Sequence, residues 1–304
     1  MQLPTRIIDA HHHLWHLQMC HYPWLMAKGV KRFFGDPAPI QKNYLPEDFR
    51  EDIGDLPVEA SVHIQVGVQE DQAVDETRWL QSVADSADSR AIPGAIVAFC
   101  DLSREDAMKV ISRHQHFPNL RGIRQIVGRS PEENRRTGSD LLLNNPLWRE
   151  NLSRLVERDL SFDLQLIPEQ MQEAIGVFNE MPGLKVALCH CGSPFEQSDR
   201  KLAEWASHLR DLAELPDVYC KLSGFGMFDH DWTCDSIRPL VHTVIDVFTP
   251  ARCMFASNFP VDRLYSDYHR LWRTYSYITS DFSEEERDQM FYANARDFYR
   301  IAVP

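Results

Sequence analysis

The residues best suited to chemistry stand together near the start of the chain, in Asp9-Ala-His11-His12-His13. Successive side chains of a β-strand face opposite ways, so His11 and His13 share one face and His12 takes the other. Two imidazoles about 7 Å apart along a strand can converge on a metal ion or on a substrate oxygen. A third histidine, His190, ends a second apolar run, Lys185-Val-Ala-Leu-Cys-His190. A lone buried histidine is ordinarily a hydrogen-bonded core residue. A same-face pair at one strand end with a third imidazole at another points instead to a site, while His12 reads as structural.

The elements that must position these side chains recur regularly. Short apolar, β-branched runs occur at Arg6–His13, Glu59–Val66, Ile92–Phe99, Arg121–Val127, Ser161–Leu166, Lys185–Cys189, Val218–Leu222 and Cys253–Ala256. Their continuous apolarity suits a parallel sheet covered on both faces. Helical periodicity separates them: Glu76–Ala87 places Trp79, Leu80, Val83, Ala84 and Ala87 on one face. Ser283 with Glu286 forms a capping box at a later helix start. Eight strands alternating with helices predict one α/β unit over residues 1–304, a single (β/α)8 TIM barrel, rather than two domains. A doubly wound sheet would carry a Gly-rich turn after its first strand, where this chain has histidines. The stretches Asp267–Ile278 and Ser283–Tyr299 are expected to complete the outer helical ring.

Barrel chemistry sits at the C-terminal ends of the strands. The connection from Leu14 to Leu56 is too long for a simple turn and carries Trp15, Tyr22, Trp24, Phe33, Phe34 and Tyr44, so it reads as a lid-like insertion or pocket wall. Gly128–Arg136 gathers Arg129, Arg135 and Arg136, read either as a solvated loop or as a seat for a carboxylated substrate. The chain has 304 residues, a net charge of −13 and no apolar run long enough to span a bilayer, which argues against nucleic acid and membrane partners. Seven cysteines without CxxC spacing, and no secretory leader pattern at the N-terminus, predict a reduced cytoplasmic protein.

The motifs IDAHHHLW, RGIRQIV, SFDLQL, LCHCGSP, YCKLSG and MFASNFPVD resemble, in order and spacing, strands of the amidohydrolase superfamily, in its amidohydrolase-related branch of lactonase-like hydrolases. The resemblance implies a distorted TIM barrel with His11, His13 and His190 around the active centre as ligands of one divalent cation, zinc foremost. It also implies departures. Many relatives have Asp in the eighth-strand motif where this chain has Asn258, and an amide cannot take a proton. Asp262 is then the substitute base, or else a partner of Arg263 or a helix cap. Arg121 and Arg124 stand where binuclear members carry a bridging lysine, so a binuclear centre is not expected, and the loss of the Asp leaves a metal-independent mechanism open.

Further candidates for substrate contact are Gln65, Arg124, Trp15 and Lys221, with a buried amide, an inter-strand ion pair, an aromatic wall and an acidic neighbour as their respective alternatives. Cys189 and Cys191 are expected to pack, on faces opposite to that of His190. The leading function is hydrolysis of a small carboxylated lactone, with Asp262, Asn258 and His190 catalytic. A metal-dependent decarboxylase of a carboxylated aromatic or enol, and a non-catalytic small-molecule-binding barrel, are the alternatives. The expected partner is a small anionic substrate, and self-association is left open.

Overall fold

The computed structural model describes residues 3–303. Eight parallel strands follow one another in chain order: β1 (Ile7–His12), β2 (Val58–Ile64), β3 (Ala95–Ala98), β4 (Leu120–Ile123), β5 (Ser161–Leu164), β6 (Val186–Leu188), β7 (Val218–Leu222) and β8 (Cys253–Phe255). Nearly all their residues are buried, as expected of a sheet with both faces covered. The order and the intervening helices are those of a distorted (β/α)8 barrel. Its last seam is nearly closed past the strand ends, where Asn258 N donates to His11 O at 2.8 Å and His13 N to Phe259 O at 2.7 Å.

Two apolar layers hold the barrel. Outward-facing residues such as Phe162, Leu164, Leu222 and Phe255 pack under the helices. The inner layer is made of small and branched residues, among them Ile8, Ala60, Val62, Val97 and Met254, which fit a narrow interior. Here the expectation for the C-terminus is corrected in part. Tyr268–Ile278 packs outside through Leu271, Trp272 and Tyr275, but Tyr292, Phe298, Tyr299 and Ile301 join the inner cluster and plug the barrel. Among the described residues no helix is long and apolar enough to cross a membrane.

The connection after β1 holds helices at Pro23–Met26 and Pro46–Ile53. It is tied down by the Trp15–Tyr44 bridge, by Trp24 Nε1 donating to Val66 O and by Tyr265 OH donating to Phe34 O. These bonds hold Trp24, Phe33 and Phe34 over the C-terminal end of the barrel.

Candidate active site

The strand ends open into a cavity of about 1530 Å³ whose lining includes His13, Gln65, Arg124, Gln165, His190 and Asn258. His13 and His190 line it, and a local irregularity in β1 sets His11, itself fully buried, against both. Between the pairs Asp9↔Ser61 and His12↔His63, β1 carries one residue more than β2, a bulge that re-aims side chains. The His11 ring consequently lies 5.0 Å from that of His13 and 4.6 Å from that of His190. His12 takes the other face and stacks on Phe49 at 4.1 Å. Asp9 fixes the bulge, its carboxylate accepting from His11 N, Ser257 N and Tyr268 OH at 3.2, 2.9 and 3.0 Å.

His190 and Asn258 both have left-handed backbone, with φ of 54° and 57°. For residues with a Cβ this costs about 1–3 kcal/mol each, a strain that concentrates at functional sites. Strand β6 ends at Leu188, and the turn that follows brings both Cys189 and His190 to the barrel interior. This corrects the assignment of Cys189 to the packing face, which assumed that strand alternation continued.

All three candidate imidazoles are neutral at pH 7. Burial holds His11 and His190 well below the usual histidine range, aided by their mutual repulsion in the first case and by Arg124 in the second. Burial, then Arg124 and His63, push His13 down to about 3. His13 Nδ1 donates to Ile64 O at 2.7 Å, which leaves a lone pair on Nε2. His190 Nδ1 meets Ser223 Oγ at 3.0 Å, so the rotation of one hydroxyl selects the His190 tautomer. His11 makes no hydrogen bond through either buried ring nitrogen.

Asn258 Nδ2 donates to Asp262 Oδ1 at 3.1 Å. Asp262 is 1% exposed, its Oδ2 has no hydrogen-bond partner, and burial raises it to about 7. Arg263 pairs not with Asp262 but with Asp52, at 3.2 Å. Asp262 stands one layer behind the cavity, with Asn258 between.

Arg124 is 4% exposed and donates to Gln65 O at 3.2 Å and to Gln165 Oε1. Among the described residues no carboxylate pairs with it, so the inter-strand ion pair is not formed. Arg129, Arg135 and Arg136 line the same cavity. Burial and the charge of Arg124 lower Arg129 to about 10, and its nearest carboxylate, Glu133 at 4.0 Å, is already held by Arg32 at 2.8 Å.

Two expected substrate contacts lie elsewhere. Trp15 is fully buried away from the cavity, its Nε1 donating to Lys42 O at 2.6 Å, and it packs edge-on against Trp24, which does line the cavity. Lys221 is fully buried below the cavity, its Nζ 2.5 Å from Asp163 Oδ2, so the acidic-neighbour alternative is the one realised. Gln65 lines the cavity, with its Oε1 accepting from Gly67 N at 2.5 Å.

Asp163 is the residue that sequence reasoning missed. It also accepts from Tyr299 OH of the C-terminal plug, at 2.9 Å to Oδ1. One ligand atom each from His11, Asp163 and Cys189 lies within 4.8 Å of the others, a group able to hold a divalent metal. The signal was available: SFDLQL and YCKLSG each place one charged residue inside an otherwise apolar strand, and two such charges need each other.

The chain is similar to known proteins over nearly its whole length. The model of the family described as Amidohydrolase matches residues 8–301. The protein y4mH of Sinorhizobium fredii is 39% identical over 97% of this chain and 98% of its own. An L-fucono-1,5-lactonase of Burkholderia ambifaria is 28% identical over 98% of this chain and 96% of its own. An amidohydrolase from Burkholderia multivorans, solved with bound zinc, superimposes with a TM-score of 0.82 at 23% identity, covering 98% of this chain and 100% of that one.

Proposed function

The chain belongs to the amidohydrolase family, and we propose that it hydrolyses a small lactone bearing an anionic group. The observation that carries this reading is Arg124, a buried guanidinium beside His13, His190 and Asn258 with no carboxylate of its own. An unpaired buried charge is unfavourable by several kcal/mol, so the pocket is incomplete until an anion enters. Arg129 adds a second cation to the same wall. A lactone is favoured over other esters by the L-fucono-1,5-lactonase relative, which matches this chain nearly end to end.

Each residue has a separable role. Arg124 and Arg129 seat the anionic group, and Gln65 borders the ring of the substrate. The Asn258 amide holds the attacking water on the Asp262 side of the cavity. Asp262, raised to about 7 and with its Oδ2 unpartnered, is matched to a general base near neutral pH that takes the proton from the attacking water through one bridging water. Without a cation, His190 in the tautomer with hydrogen on Nε2 donates to the ester carbonyl as charge develops there; ligation through Nε2 requires the other tautomer, with hydrogen on Nδ1 facing Ser223 Oγ. The three neutral imidazoles, with both His11 nitrogens unoccupied, suit a divalent cation in donor type. His11, His13 and His190 would hold it, zinc being our reading, and it would supply Lewis-acid polarisation of the carbonyl and a more acidic water.

The test is acid release from a panel of sugar-acid and carboxylated aromatic lactones. We expect turnover on anionic lactones that falls steeply for neutral ones. Carbon dioxide release without a ring-opened acid would replace this reading with decarboxylation.

A further inference from the structure

Beneath the cavity lies a second group of donors, of which the proposed hydrolysis uses only His11. His11 stands between the two: His13 and His190 flank it on the cavity side, Asp163 and Cys189 on the barrel floor. All three floor residues are fully buried. Asp163 offers oxygen, Cys189 sulfur and His11 a ring nitrogen, with the ligand atoms within 4.8 Å of one another. Leaving both His11 nitrogens buried without a hydrogen bond is costly, and a cation would satisfy the one that carries the lone pair.

We propose that His11, Asp163 and Cys189 form a nitrogen–oxygen–sulfur site for a borderline-soft divalent cation, and that the Lys221 ammonium is its built-in competitor. A thiolate with an imidazole selects zinc, cobalt or cadmium over magnesium or calcium, and three protein ligands leave one coordination position open. On loading, the Cys189 thiol releases its proton to solvent and the thiolate becomes a ligand.

Lys221 decides whether this happens. Its Nζ lies 2.5 Å from Asp163 Oδ2 and 5.0 Å from the centre of the Tyr299 ring, so the ammonium has a ready-made seat. A divalent ion at Asp163 and the ammonium on the same carboxylate oppose one another by charge. Arg124 contributes further positive charge nearby, which steepens the competition. Tyr299 holds Asp163 from below in either state, so the carboxylate is oriented before any ion arrives. The floor therefore works as a two-state element, filled by an internal ammonium or by an external cation.

The experiment is a cobalt(II) titration of the purified full chain, followed by absorption. Thiolate ligation adds a sulfur-to-cobalt charge-transfer band that histidine-only ligation lacks. Lys221→Met and Lys221→Gln, the second able to donate an amide N–H to Asp163, should each show the band with affinity about tenfold or more above wild type, the scale on which outer-shell groups move metal affinity. Cys189→Ser should lose the band while keeping any cobalt bound by the cavity histidines. Absence of the band in the wild type and in both Lys221 variants, with circular dichroism reporting folded protein, overturns the site. Persistence of the band in Cys189→Ser overturns the ligand assignment. Equal affinity in wild type and the Lys221 variants overturns the competitor role. None of these readouts requires turnover, so they stand whether or not a lactone is the substrate.

Discussion

Replacing Asp262 by Asn separates a functional carboxylate from a structural one. Asp262 is raised from an ordinary 3.8 to about 7, a difference of roughly three pH units and about 4 kcal/mol against the ionised form in the folded state. The folded protein binds more protons than the unfolded chain between these values, so this group lowers stability as pH rises from about 4 to 7 and holds the full penalty above 7. In Asp262→Asn the neutral amide carries no such penalty and keeps an oxygen for the Asn258 amide. At pH 8 the variant should therefore be more stable than wild type, by about 3 kcal/mol once about 1 kcal/mol is deducted for a weaker hydrogen bond. Its kcat should fall by about 10²–10⁴, the usual contribution of a general base. Wild-type kcat/KM should rise with pH through about 7, while the residual activity of the variant stays flat. Chemical denaturation and a pH–rate profile measure both halves. A variant that loses stability at pH 8, or keeps kcat within about tenfold of wild type, would refute the assignment.

Four further expectations can be measured independently. Arg124→Met should lower kcat/KM for an anionic lactone by about 30-fold or more, the scale of a charge-assisted hydrogen bond of ~2–3 kcal/mol, and leave a neutral lactone nearly unaffected. His190→Ala should abolish turnover while retaining binding of a ring-opened product by calorimetry; undiminished turnover would remove His190 from the reaction. Glu76 is buried and raised by that burial to about 8, so wild type should lose about 3 kcal/mol of stability between pH 6 and pH 9 from this residue. Glu76→Gln should abolish that slope in denaturant melts at the two pH values. The buried histidines act oppositely: His13, His63 and His114 are held at about 3, 4 and 4. The unfolded chain protonates them below about 6.5 while the fold resists, so stability should fall as pH drops from 6.5 towards 4, checked by the same melts.

The barrel was legible because its signal is repetitive and local. Each strand announced itself as a short apolar run, and all eight fall within a few residues of their observed bounds. The sharing of a face by His11 and His13 was read from alternation, yet it is realised through a bulge that no pattern in Asp9–His13 encodes. The same gap explains Cys189, where the strand stops at Leu188 and alternation no longer applies. Lys221 and Asp163 lie 58 positions apart, and only strand order brings them together. Trp15 looked like a pocket aromatic because its neighbours in sequence are. Its side chain instead supports Trp24, a distinction made by packing rather than residue type. The C-terminal plug is not distinguishable from the outer ring in sequence, because a helix that closes the floor of a barrel has the same apolar periodicity as one packed outside it.

The central claim is ring opening of an anionic lactone by water. Its most direct test is a single-turnover reaction in isotopically labelled water, with the product analysed by mass spectrometry and total acid followed by titration. Hydrolysis puts one labelled oxygen in the new carboxylate and releases one equivalent of acid per ring opened. Carbon dioxide with no ring-opened acid, or no turnover across the anionic lactones by protein that binds them, would contradict it.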